Sequence, residues 1–276
     1  MSSITKVLIG ALATLSAVSA LPQQNYQPNQ PTTLTTAVTP APTTNNDGLI
    51  AELRVKSTAI KRFQKLLTNN GEKLLSEDEI KKQTVFDFNN AQPAPNAKGG
   101  ATKAANIDTF PILTDLGIST TLGFLNPCGM NTPHVHPRAT EFLTVVEGSV
   151  KFGYILENGL TKAPNPSEIS GTLEKFQGTV FPMGSIHYQF NPECKPAVFV
   201  AALNSDDPGT SQVAQNFFGL NPDVVNATLG FPKQLDGKNI EEFRKFIPAN
   251  IAHAIDSCLA TCPEAKEAQQ SGIKQN

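Results

Sequence analysis

Between about residues 84 and 205 the chain alternates short apolar runs with turn-forming residues. The runs are ISTTLGFL (118–125), EFLTVVEG (141–148), SVKFGYIL (149–156), GTVFP (178–182), SIHYQFN (185–191) and AVFVAAL (197–203). They are rich in Val, Ile, Phe and Thr, and Gly, Pro and Asn punctuate the gaps. Several short strands with frequent turns predict a β-sandwich or barrel, so the chain reads as mainly β. Glu147-Gly148 reads as a tight turn between two strands. On both sides of this region the apolar period lengthens. Leu49, Leu53, Ala59 with Ile60, Phe63 and Leu67 predict one helix over about 48–67, capped by Asp47. Further on, SQVAQNFFGL (211–220) and PDVVNATLG (222–230) predict short helices, and IEEFRKFI (240–247) predicts another that stops at Pro248. Ile251, Ile255 and Leu259 share a face of a last helix running from Asn250 to about Leu259.

The N-terminus has a different character. Lys6 precedes an unbroken small and aliphatic stretch from Val7 to Ala20, and Val18-Ser19-Ala20 fits the small-residue cleavage rule. This predicts a secretory signal over 1–20 and an extracellular mature protein. Residues 21–47 are rich in Pro, Thr, Gln and Asn, which predicts an extended or disordered segment. It reads equally as a plain linker or as a carrier of O-linked sugar. The expected division is thus a signal (1–20), a Pro/Thr-rich segment (21–47), a helical extension (48–84), a β domain (85–210), a helical region (211–263) and a polar tail (264–276).

Composition narrows the partners. With 22 Lys and Arg against 24 Asp and Glu, the net charge is −2, which gives no footprint for nucleic acid or a charged membrane surface. No apolar run after the signal is long enough to span a bilayer.

Three of the four histidines fall in two short segments, PHVHPRATEF (133–142) and FPMGSIHYQFN (181–191). His134 and His136 lie two residues apart, so on a strand they point the same way. Glu141 lies an odd number of residues beyond His136, and the Pro137-Arg138-Ala139-Thr140 insert can bend the chain so that its carboxylate faces the same centre. His187 follows the Pro182-Met183-Gly184 turn and adds a third imidazole. Three His and one Glu suit a first-row divalent metal with open positions for a small anion, dioxygen or superoxide. No Cys stands beside these histidines, which argues against a closed structural zinc site. Asn131 and Gln189 are candidates to orient the imidazoles.

With these residues in place the chain resembles the cupins. NTPHVHPRATE is similar to the first cupin motif, G-x5-H-x-H-x3,4-E-x6-G, with His134, His136, Glu141 and Gly148 in register. Phe181 to Asn191 is similar to the second, G-x5-P-x-G-x2-H-x3-N, with Pro182, Gly184, His187 and Asn191 in register. The PRATE, FNPEC and NSDDPG wording resembles germin-like proteins, and among them the spherulin branch. Over roughly 85–262 the resemblance implies a single cupin jelly-roll β-barrel, an N-terminal helix, C-terminal α-helices that lock subunits together, and a homo-oligomer. It implies Mn2+ held by His134, His136, Glu141 and His187, though such a ligand set also accepts Fe, Ni, Zn or Co. The leading Gly of each motif is replaced, by Cys128 and Phe176, so the turns there are expected to differ. Oxalate oxidases place two Asn near the substrate. One aligns with Asn131 and the other with Thr121, which lacks the amide donor.

Four cysteines in a secreted chain allow three pairings. If, as the resemblance implies, the His136 and His187 strands are antiparallel with those residues opposed, Cys128 and Cys194 fall almost opposite. A Cys128–Cys194 bridge is expected on that basis. Cys258 and Cys262 then pair if the helix ends near Leu259, or remain as thiols. Asn226-Ala227-Thr228 is an N-glycosylation sequon, and His253 is expected on a helix surface or interface.

Three functions are compatible with these residues. One is a manganese enzyme acting on superoxide or oxidising a small carboxylate, with Leu143 and Val145 as a dry shell. Another is a non-catalytic extracellular or cell-wall component made under stress or encystment, in which the metal stabilises the fold. The last is a small-ligand carrier. The pocket near Thr121 and Asn131 discriminates, because convergent polar groups suit a carboxylate and an apolar mouth suits superoxide or pure structure.

Overall fold

The computed structural model describes residues 45–230, together with 247, 250, 252–253, 256–263 and 265. The expected signal, most of the Pro/Thr-rich segment, most of the 240–247 helix and nearly all of the polar tail lie outside the described residues.

A short hairpin, β1 (Thr68–Asn69) with β2 (Lys73–Leu74), precedes the two antiparallel sheets that form the body. One has the order β3 (Gly100–Ala105), β4 (Ser119–Leu125), β11 (Ala197–Leu203), β6 (Glu141–Glu147) and β9 (Gly178–Phe181). The other has the order β12 (Ser211–Gln212), β5 (Gly129–Val135), β10 (Ile186–Phe190), β7 (Val150–Ile155) and β8 (Ile169–Leu173). A further short strand, β13 (Ala252–His253), also pairs with β5. This is the jelly-roll arrangement, with two separate hydrogen-bonded sheets rather than one ladder closed on itself.

Alternation along the strands builds the core. In β11, Ala197, Phe199, Ala201 and Leu203 are buried and the intervening residues are less so. In β6 the inward set is Glu141, Leu143 and Val145, so the acidic residue occupies a core-facing position at the end of an apolar row. Phe199 lies opposite Gly123 of β4. A Cβ at Gly123 would overlap the Phe199 ring, so any larger residue here forces that ring to move. The expected turn after Glu147 is present, with Gly148 at a φ of 72°.

Several expectations are corrected. The helix expected over 48–67 is two helices, α1 (Asp47–Arg54) and α2 (Ala59–Leu67). Thr58 breaks it: its backbone is extended and its side chain accepts from the Lys61 N–H, capping a new helix. Ile60 is consequently 65% exposed, whereas Leu53 and Leu66 are buried, beside Pro111 and Ile112. A third helix, α3 (Glu77–Thr84), opens on a Ser76–Glu79 capping box. The helix expected over 211–220 begins as β12 and only then becomes α4 (Val213–Phe217), because the open edge of β5 takes Ser211 and Gln212 as a strand. The helix expected from Asn250 to Leu259 is likewise split. Ala252 and His253 pair with Met130 and Gly129 on that same edge, and only Asp256–Thr261 is helical, as α6. His253 is therefore a strand residue. The sequon sits in α5 (Pro222–Thr228).

The bridges are Cys128–Cys258 and Cys194–Cys262, not Cys128–Cys194 with Cys258–Cys262. The expected register is the source of the error. His187 pairs with His134 rather than His136, which carries Cys194 past the level of Cys128. Cys258 lies in α6 and Cys262 directly follows it, one turn further on, and each reaches a different partner. The turns at Cys128 and Phe176 also keep the left-handed backbone that glycine would supply, with φ of 57° and 68°.

Candidate metal centre

The second sheet brings two imidazoles together directly, since His134 of β5 and His187 of β10 are register partners. His136 follows one residue beyond β5. Glu141 comes from the facing sheet, where β6 begins between Phe181 of β9 and Leu203 of β11. All four are buried, and one ligand atom from each lies within 4.8 Å of every other.

Backbone carbonyls orient the rings. His134 Nδ1 meets the Thr132 carbonyl at 2.8 Å, His187 Nδ1 the Ser185 carbonyl at 3.0 Å, and His136 Nδ1 the Gly209 carbonyl at 2.7 Å. A carbonyl only accepts, so each Nδ1 carries the proton and each Nε2 presents a lone pair. His136 Nε2 lies 2.9 Å and His187 Nε2 3.6 Å from Glu141 Oε2. Glu141 Oε1 and His187 Nε2 are buried without a hydrogen-bond partner. A cation between the four groups would satisfy both, and the neutral-imidazole, carboxylate set fits a divalent ion with one net positive charge left over.

The electrostatics agree. Burial holds His134 far below the ordinary imidazole value, at about 3, with the neighbouring His187 adding to the effect. Burial pulls His136 down too, but the Glu141 hydrogen bond and charge outweigh it and raise its pKa. Burial would raise Glu141, yet the neighbouring His136 and His187 imidazoles hold it at about 2. Phe181 stacks on His187 with ring centroids 4.4 Å apart and screens that side from water.

Of the polar residues expected around the centre, Asn131 and Gln189 are both buried, but they bond each other (Asn131 Nδ2 to Gln189 Oε1, 2.7 Å) rather than the imidazoles. Strand geometry explains this, because the carbonyl two residues upstream already reaches Nδ1 of His134 and of His187. Asn191 is tied to the loops instead, donating to the Asn126 and Lys195 carbonyls. Thr121 lines a cavity of about 280 Å3 beside the centre, with Asn131, His134, His136, Glu141 and three residues not foreseen: Thr210, Gln212 and Asn250. Gly209 was also missed, although it lies at the end of the NSDDPG stretch. Arg138 holds that loop through the Asp207 carbonyl (2.8 Å) and carboxylate (2.7 Å), and the Arg138 N–H donates to the Pro208 carbonyl.

The comparisons converge on this arrangement. The cupin family model matches residues 86–241. Spherulin-1A of Physarum polycephalum is 38% identical over 191 residues, covering 69% of this chain and 72% of that protein. Germin-like protein 8-2 of Oryza sativa subsp. japonica is 38% identical over 167 residues, 60% of this chain and 72% of that protein. Among solved structures, an oxalate oxidase in complex with the substrate analogue glycolate aligns with a TM-score of 0.51 and 25% identity, covering 66% of this chain and 90% of that one. Two facing sheets, three imidazoles on one and a carboxylate on the other, and a family match spanning both sheets lead to one assignment: the chain belongs to the cupin family, similar to the germin-like proteins and spherulins within it.

Proposed function

We propose that the chain is a secreted manganese protein that oxidises a small carboxylate or dismutates superoxide at the His134, His136, Glu141, His187 centre. The observation that carries the reading is the pairing of a complete, pre-oriented ligand set with a cavity of about 280 Å3 that opens onto it. The metal, when bound, supplies one-electron exchange with dioxygen species. The chain supplies the rest. Three Nε2 atoms and the Glu141 carboxylate would hold the ion, and the one net positive charge left over would attract an anion. Buried Leu143 and Val145 lie beyond Glu141 on the same inward row and exclude water. Thr121, Thr210 and Gln212 offer hydroxyl and amide groups to a ligand in the cavity, which favours a carboxylate over superoxide alone.

The signal-like N-terminus and two disulfides among the described residues support secretion. No described helix is long and apolar enough to cross a membrane. An extracellular or cell-wall setting and a homo-oligomer complete the proposal, with the division at residues 20, 47, 84, 210 and 263 kept as drawn.

Metal analysis of the natively secreted protein, with oxalate and superoxide assays on the same sample, tests this. Near-stoichiometric manganese with turnover that disappears in His136→Ala is the expected result. Bound manganese without turnover in either assay would replace catalysis by a structural extracellular role. Iron, nickel, zinc or cobalt in its place would reassign the cofactor.

A further inference from the structure

The outer edge of β5 is covered piecewise. Gln212 and Ser211 of β12 pair with His134 and Val135, and Ala252 and His253 of β13 pair with Met130 and Gly129. Between them, at Thr132, no described residue pairs as a strand, and a side chain takes that place. Asn250 Oδ1 accepts from the Thr132 N–H at 2.8 Å and the Thr132 hydroxyl at 3.2 Å. Asn250 Nδ2 donates to Asn131 Oδ1 at 2.7 Å. The Thr132 carbonyl is the acceptor that orients His134. Asn250 thus braces Thr132, the residue whose carbonyl orients a ligand ring, and it also lines the cavity.

Downstream of Asn250 the chain is fastened twice, by Cys128–Cys258 and Cys194–Cys262. The bridges differ in exposure. Cys128, Cys258 and Cys262 are buried, whereas Cys194 is exposed. The sulfur of Cys262 lies within 4.8 Å of both sulfurs of the inner bridge. A dithiol attacking at Cys194 closes to its own disulfide and leaves Cys194 and Cys262 as thiols, a two-electron exchange. The freed Cys262 thiolate is then in place to attack Cys128–Cys258, expelling one of its sulfurs as a thiolate, and a second dithiol reduces the rearranged bond in turn.

We propose that Asn250 is a positioning residue for His134 and that the two disulfides are a redox latch holding it there. Reduction releases the latch, withdraws Asn250 from Thr132 and opens the cavity wall. The site affected rests on the metal-centre reading above, but the coupling itself does not require a bound ion.

Hydrogen exchange at the Thr132 amide is measured on the metal-free full chain, with and without dithiothreitol, alongside Mn2+ release to a chelator from the loaded protein. Asn250→Ala should speed Thr132 exchange about tenfold or more and Mn2+ release by about tenfold, the scale on which such supporting partners act. Asn250→Asp, which keeps the acceptor, should restore Thr132 protection. Dithiothreitol should expose Thr132 in the parent protein and add little in Asn250→Ala, as expected for steps on one path. Unchanged Thr132 exchange in Asn250→Ala would overturn the proposal. So would reduction that loosens β11 as much as β5, which would make the bridges general staples. Thr132 coupling in a chain that takes up no Mn2+ would support the latch and remove the metal reading instead.

Discussion

Phe176 holds a φ of 68° while its side chain is 75% exposed. A left-handed L-residue costs about 1–2 kcal/mol, and glycine gives back about 0.5–1 kcal/mol of that in chain entropy. Phe176→Gly should therefore stabilise the protein by roughly 0.5–1 kcal/mol, measured as a rise in the urea midpoint. Cys128 shares the conformation but is committed to a disulfide, so the same exchange there would destabilise. At the centre, the raised pKa of His136 sets the response to acid. A proton and a cation compete for its Nε2, so metal affinity should fall as pH drops through the imidazole range, while His134, at about 3, stays neutral. Bound manganese after equilibration at stepped pH values checks this. The metal-free protein has the opposite sign at this residue. Its raised pKa contributes stability below the unfolded-state value, and that contribution is lost as pH rises through the native one.

At the level of elements, the strands were legible because their apolar runs coincide with buried rows, as in AVFVAAL and β11. The short edge pieces were not. SQVAQ and NIAH carry helical spacing, yet the open edge of β5 captures part of each as strand, and a sequence has no means of announcing which edge is vacant. The disulfide pairing failed for the same reason, since a two-residue register difference at His134 and His187 was enough to redirect it. The β4–β11 pair yields a sharper test. Gly123→Ala would push the Phe199 ring off its seat, and overpacking of this kind destabilises by about 1–3 kcal/mol. Phe199 also lines the cavity, so the same variant should alter ligand affinity, measured by calorimetry on the loaded protein.

Across the whole molecule, the metal ligands could be read because two motif halves, some fifty residues apart in sequence, become register partners at His134 and His187. The rest of the cavity wall could not, because Thr210, Gln212 and Asn250 come from segments whose only link to the motifs is spatial. A ligand that binds only the folded state stabilises it by mass action, by about 2.7 kcal/mol at a hundredfold excess over Kd. Chelation should therefore lower the thermal midpoint of the loaded protein, and Mn2+ should restore it. A midpoint that ignores chelation would mean that the folded state gains nothing from the ion.

The three rings are not anchored alike. Two rely on carbonyls of their own strands, two residues upstream, and no side-chain replacement can delete a carbonyl. The third relies on Gly209, in a loop that Arg138 clasps at the surface through Asp207. Variation at those two exposed positions can shift the tilt of His136 without touching any ligand. The centre thus has two fixed corners and one adjustable corner, and a lineage could retune its ion preference from the solvent side while its buried chemistry stays the same.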